Sequence, residues 1–161
     1  MLKILIPVDG SELSLDAVRY GLQLVTQGLK AEFVLGNVQE PASLYEMLTV
    51  RDPQLLVGLS AGAGDHLLES ARQLCDAAGV AYECEIASGD PAHTLIDIVE
   101  RYSCDAVIVG ARGKGGVTGS LLGSVSQELA HACPVPVTVV KHAQPEEVPA
   151  ETGTEESAAL P

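Results

Sequence analysis

The residues with the most chemical potential are concentrated in one stretch. Residues 110–124 read GARGKGGVTGSLLGS and hold six glycines. Glycine lets successive backbone N–H groups converge on one point and lets a ligand lie close to the main chain. Arg112 and Lys114 fall in the same stretch, two of only nine Lys and Arg in a chain with 22 Asp and Glu. The stretch runs into Ser124, and the spacing Ser124-x-x-Gln127 has the form of a capping box at a helix start. Unpaired N–H groups and the helix dipole favour an anion there. The chemistry implied is the cradling of phosphate. A second short run, Asp9-Gly10-Ser11, places a carboxylate where an apolar segment ends.

Better-known phosphate motifs do not fit. Walker A needs Gly-Lys followed by Ser or Thr, but Gly113-Lys114 is followed by Gly115. The dinucleotide fingerprint would need glycine at 118, which is Thr118. A kinase and a dehydrogenase are thereby disfavoured. No nucleophile–base–acid arrangement has local support. The four histidines are scattered without HExxH or His-x-x-x-His, so no metal site is assigned. The four cysteines, Cys75, Cys84, Cys104 and Cys133, form no CxxC pair and read as buried reduced thiols. A phosphate cradle becomes an efficient hydrolase only with an oriented water or a general base. Binding, with slow hydrolysis at most, is the expectation.

The elements that must position these residues alternate between two periods. Residues 2–9 (LKILIPVD) form an apolar, β-branched strand. A helix over 11–27 follows, with Ser11 as cap. A second strand covers 32–38. Residues 39–64 are broken by Pro41, Pro53 and the run GLSAGAG. An apolar stripe then supports a helix over 65–78, with an earlier start near Pro53 left open. A less apolar strand over 81–87 suits a sheet edge. Asp90-Pro91 opens a helix to about residue 102, with Asp90 as cap and Pro91 in its first turn. A short apolar strand over 105–110, the glycine loop, a helix over 124–131 and a strand over 137–141 complete the series. Strands alternating with helices specify a parallel sheet covered on both faces. In such α/β folds ligands bind beyond the carboxyl ends of the strands, where strand order reverses. Both candidate loops follow strands.

Composition restricts the remaining classes. A chain of 161 residues is one domain with room for a real core. Hydrophobic residues make up 47%, and mean hydropathy is +0.23, which excludes a disordered chain. No apolar run reaches the ~20 residues of a membrane helix, and the N-terminus lacks a signal peptide's apolar region. A cytoplasmic location with no membrane span is expected. The net charge of −13 argues against a nucleic-acid partner. Residues 142–161 hold five acids and no Lys or Arg, and are expected to form a disordered acidic tail behind a domain over 1–141.

The pattern Gly-x2-Gly-x9-Gly-Ser, carried by Gly110, Gly113, Gly123 and Ser124, resembles the ATP-binding signature of the universal stress protein family. The opening KILIPVDGS, the GDP run that starts the helix at 90, the DAVIVG strand and the closing CPVPVTVVK are similar to that family too. The resemblance spans residues 2–141. It implies a single-domain, three-layer α/β/α fold with a five-stranded parallel sheet in order 3-2-1-4-5, Rossmann-like, of the adenine nucleotide alpha hydrolase-like kind. It implies ATP as ligand, with or without Mg2+. Pro7 and Asp9 would stand on the nucleoside side, with the backbone of Val38 reading adenine. Gly110 and Gly113 would lie under ribose and phosphates. Gly123, Ser124 and Val125 would bind phosphate, and Arg112 and Lys114 would contact it. The last strand, bounded by Val137 and Lys141, would pair antiparallel with its copy in a homodimer. Such a protein would act as a nucleotide-occupied regulator in the stress response, through a protein partner that the sequence does not name.

Each residue also has a plainer reading. Ser124 caps a helix whether or not a nucleotide binds. Asp9 can serve only its own turn, and Arg112 and Lys114 can be solvated charges. Two alternative functions stay open: a nucleotide-independent interaction module of the same fold, and a binder of AMP or cyclic AMP. An ATPase or nucleotidyl-transfer enzyme on this fold is the third, but its motifs are not found.

Overall fold

In a computed structural model of the chain, described for residues 1–41, 53–112 and 122–142, five strands and four helices follow one another in strict alternation. They are β1 (Leu2–Pro7), α1 (Glu12–Thr26), β2 (Ala31–Gln39), α2 (Pro53–Ala78), β3 (Tyr82–Ser88), α3 (Pro91–Tyr102), β4 (Ala106–Gly110), α4 (Ser124–Ala132) and β5 (Val137–Val140). The sheet order is β3-β2-β1-β4-β5, and every pairing is parallel. The expected architecture and order are both observed.

The two-residue period of each strand sends neighbours to opposite faces. Ile4 and Ile6 of β1 pack with Phe33 and Leu35 of β2, under Val18 of α1 and Leu68 of α2. Leu5 and Val34 lie on the other face with Val107 and Val109, under Ile98 of α3 and Leu129 of α4. All but Ile4, Ile108 and Val109 among the apolar strand positions 4–6, 33–35 and 107–109 are at most 1% exposed. That double burial is why the strands read as continuous apolar runs. β3 is the less apolar edge, as its sequence predicts, and β5 is the opposite edge, with Thr138 exposed and its three valines half-buried.

Local signals fix two of the four helix starts. The Ser11 hydroxyl accepts from the Ser14 N–H at 3.2 Å and caps α1. Asp90 caps α3, accepting from the His93 N–H at 3.1 Å, with Pro91 in the first turn. Three expectations are corrected. The GLSAGAG run does not break the helix before β3, which takes the earlier start at Pro53 that the sequence left open. The reason is tertiary: a Cβ on Gly64 would stand 2.7 Å from Ile86 and 2.9 Å from Asn37 Oδ1, so glycine here admits the helix to the sheet. Ser124 is not the cap of α4. Gly123 occupies that position, and as glycine it offers no side chain to accept from the helix N–H groups. Of the four cysteines only Cys75 and Cys104 are buried; Cys84 and Cys133 are half-buried, though all four are free thiols. Burial raises the thiols of Cys75 and Cys104 to about 11, which keeps them protonated. No helix among the described residues is long and apolar enough to cross a membrane.

Candidate functional site

The strand order reverses between β1 and β4, and a crevice of about 810 Å³ opens at their carboxyl ends. Its floor is Pro7 at the end of β1 with Val8 and Asp9 after it, and Val109 and Gly110 of β4 beside them. The end of β2, Gly36 to Glu40, forms one wall together with Leu67 of α2. Arg112 and the start of α4, from Leu122 to Ser126, form the other. Eight residues singled out in the sequence thus line one cavity: Pro7, Asp9, Val38, Gly110, Arg112, Gly123, Ser124 and Val125. Gly113 and Lys114 lie outside the described residues.

Asp9 is built into the turn it follows. Its Oδ1 accepts from the Ser11 N–H at 2.9 Å, and its own N–H donates to Ser14 Oγ at 3.4 Å. Ser14 Oγ in turn donates to the Ser11 carbonyl at 2.8 Å. The carboxylate is therefore held half-buried in a fixed orientation at the mouth. Gly110 has a packing reason of its own. A Cβ there would lie 2.7 Å from the Leu13 carbonyl, so the first turn of α1 comes down directly on the end of β4. That contact sets the spacing between the two site loops.

The glycine loop is tied where it leaves and where it returns. The Gly123 N–H donates to the Ala111 carbonyl at 2.6 Å, and the Ala111 N–H donates to the Val140 carbonyl at 2.8 Å. The Ser126 hydroxyl, 2% exposed, reaches both Ala111 O at 2.8 Å and Gly123 O at 2.9 Å. The loop ends thus meet, and the first N–H groups of α4, on Ser124 and Val125, stand at the crevice. Those groups have no partner within the helix. With the helix dipole and Arg112 on the same wall, this end of the crevice is suited to an anion. The opposite wall mixes apolar Val38 and Leu67 with polar Asn37, Gln39 and Glu40.

Three contributors escaped sequence reading. Ser14 and Ser126 act through hydroxyl bonds to loop main chain, and serine in a first helical turn gives only the signal of a helix start. Asn37, 2% exposed, donates to the Val8 carbonyl at 2.7 Å. A lone amide inside the apolar run FVLGNV was its signal.

Among the described residues one cluster offers several possible metal ligands, Asp90, His93 and Glu128. All three are exposed, and the Asp90 carboxylate is already engaged as the α3 cap and by His93 Nδ1 at 2.8 Å.

Comparison with known proteins agrees with this fold. The model of the universal stress protein family matches residues 1–141. The chain is 28% identical over 139 residues to the universal stress protein MJ0531 of Methanocaldococcus jannaschii, covering 86% of this chain and 81% of that one. The solved structure of the hypothetical protein MJ0577 superposes with a TM-score of 0.73 at 27% identity, over 89% of this chain and 98% of that one. A universal stress protein solved in complex with cAMP superposes with a TM-score of 0.65 at 26% identity, again over 89% and 98%.

Proposed function

The chain belongs to the universal stress protein family, and from that premise we propose that it is an ATP-binding regulatory protein of the stress response. The observation that carries this reading is the anion-suited end of the crevice, where Arg112 and the start of α4 share a wall. The nucleoside lies toward Pro7, Asp9 and Val38. The phosphates lie over Gly110 and Gly113, against the N–H groups of Gly123, Ser124 and Val125, with Arg112 and Lys114 as counter-charges and Mg2+ as an optional companion. Occupancy biases contacts with a protein partner. The working form is a cytoplasmic homodimer joined through β5, a sheet-edge strand with three half-buried valines. Residues 142–161 form an acidic tail outside the nucleotide-binding domain.

A second reading keeps the site and changes the ligand to AMP or cyclic AMP. It is favoured by the similar structure solved with cAMP. One experiment separates the two. Freshly purified protein is denatured, the released nucleotide is identified by chromatography, and the emptied protein is titrated calorimetrically with ATP, AMP and cyclic AMP. Released ATP, or ATP binding that is lost in Gly113→Ala, supports the first reading. A dissociation constant weaker than about 1 mM for all three, only about 4 kcal/mol of binding free energy, leaves a nucleotide-independent interaction module.

A further inference from the structure

Where α3 and α4 meet, beside the crevice, three side chains of mixed chemistry converge. His93 Nδ1 lies 2.8 Å from Asp90 Oδ2 and 4.0 Å from Glu128 Oε1. One ligating atom from each of the three lies within 4.8 Å of the other two. The 2.8 Å contact is a hydrogen bond, but 4.0 Å is too long for one. Zinc holds nitrogen and oxygen ligands at about 2.0–2.2 Å, so two ligands on one ion stand at most about twice that apart. The Nδ1 to Oε1 separation is within that reach. Glu128 has no other hydrogen bond or ion pair among the described residues. Both bonds that Asp90 accepts from His93 fall on Oδ2. A carboxylate has about four lone-pair sites, so Asp90 can go on capping α3 while it binds an ion. The charges that act on the His93 ring are all carboxylates, from Asp90, Glu128 and Asp97. The backbones that carry the three are fixed, because Leu95 of α3 and Leu129 of α4 are buried in one core cluster. Glu128 comes from a different helix, which is why no local motif announced the group.

We propose that Asp90, His93 and Glu128 form a binding site for a divalent transition-metal ion of the zinc class, which ties the start of α3 to α4. An imidazole nitrogen with two carboxylates suits zinc and its neighbours, whereas magnesium and calcium take oxygen ligands. The Nδ1 lone pair turns to the ion, and the remaining ring proton sits on Nε2. Three protein ligands leave a fourth position to water. The site is separate from the nucleotide reading and does not rest on it. Its place has a consequence for the crevice, because Pro91, between Asp90 and His93, lines the crevice wall, as do Ser124 and Val125 one turn before Glu128. An ion here braces two elements of that wall from outside.

The test is calorimetric titration of the untagged, nucleotide-free full chain with Zn2+, repeated in excess Mg2+. One ion per chain is expected to bind with a dissociation constant of about 10 μM or tighter. His93→Gln and Glu128→Gln each remove one ligand from an exposed position, and each should weaken Zn2+ by about tenfold or more. Thermal melts without metal check that both variants fold. Melts with Zn2+ should rise for wild-type protein and stay level for the variants. No binding tighter than about 1 mM would overturn the proposal. So would Zn2+ affinity that survives both substitutions, which would place the ion on the half-buried thiols of Cys84 and Cys133. Displacement of Zn2+ by an equal concentration of Mg2+ would also overturn it, since that is screening of acidic charge and not ligation.

Discussion

The Ser126 hydroxyl lies 2.8 Å from the carbonyl oxygen of Ala111, fifteen residues earlier in the chain, and closes the base of the glycine loop. The same carbonyl accepts from the Gly123 N–H at 2.6 Å. One acceptor thus gathers the last residue before Arg112 and the cap of α4. The loop between them is free to be glycine-rich because its ends are held elsewhere. The position of Arg112 relative to the α4 N-terminus follows from this clasp, not from the loop's own sequence.

Ser126→Ala tests the clasp. The substitution removes one buried hydroxyl and leaves the Gly123 N–H bond in place. A loss of about 1 kcal/mol in unfolding free energy is expected, typical of one intramolecular hydrogen bond. ATP affinity should fall about three- to tenfold, because the two halves of the anion wall lose registration. Urea unfolding and calorimetry read the two effects separately. Unchanged affinity in a destabilised variant would confine Ser126 to folding.

Gly110→Ala tests the contact between β4 and α1. A Cβ placed 2.7 Å from the Leu13 carbonyl meets backbone, which cannot rotate away. The helix start must shift, at a cost of about 1–3 kcal/mol by analogy with overpacked cores. The loss should appear in thermal melts of nucleotide-free protein. A melt unchanged from wild type would mean that α1 yields at no cost.

How far the sequence could carry the fold and the site follows from the range of each interaction. Ser11, Asp90 and Pro91 act within one helical turn, so the starts of α1 and α3 were legible. The double burial of β1 and β4 was legible because both faces demand apolar residues. The start of α2 near Pro53 was only left open, because the glycine run reads as a break and Gly64 is explained only by the Ile86 and Asn37 side chains close to it. The α4 cap was misassigned for a related reason. Ser124 has the right spacing for a capping box, but the turn is organised by Ala111, which only the loop closure brings there. In the site, Asp9, Gly110 and Arg112 were found by residue type and spacing. Asn37, Ser14 and Ser126 act on main-chain carbonyls and amides, and those partners leave no mark in a sequence.

His93 provides a pH readout at the start of α3. Pairing with Asp90, reinforced by Glu128 and Asp97, raises its pKa above 6.5. Asp90 is held below 3.8, first by the His93 N–H and then by the His93 ring. The stabilisation from the raised histidine is full below pH 6.5 and is lost as pH rises through its folded pKa. That from Asp90 is present above pH 3.8 and is lost as pH falls through its own lowered value. The contact is therefore strongest between the two. Asp90→Asn keeps an N-cap but removes the charge. An NMR titration of His93 should then fall back toward 6.5 with little change in thermal stability. A His93 pKa unmoved by this substitution would assign the shift to Glu128 and Asp97.

Under the proposed function, Arg112 is the residue that would separate a triphosphate from a monophosphate. Its half-buried guanidinium stands on the wall that carries the start of α4, and a planar cation there serves the outer phosphates more than the inner one. Arg112→Ala is expected to weaken ATP by about tenfold, the scale of one charge-assisted hydrogen bond. AMP should change by less than about threefold, since its single phosphate is met by the helix N–H groups alone. The difference should also shrink with salt, because a charge interaction survives to about 10 Å at 0.1 M but only to about 3 Å at 1 M. Equal losses for ATP and AMP would place Arg112 on the inner phosphate and favour the monophosphate reading. No loss for either would show that the helix terminus alone holds the anion, and the cation of the glycine loop would then belong to a surface that meets another protein.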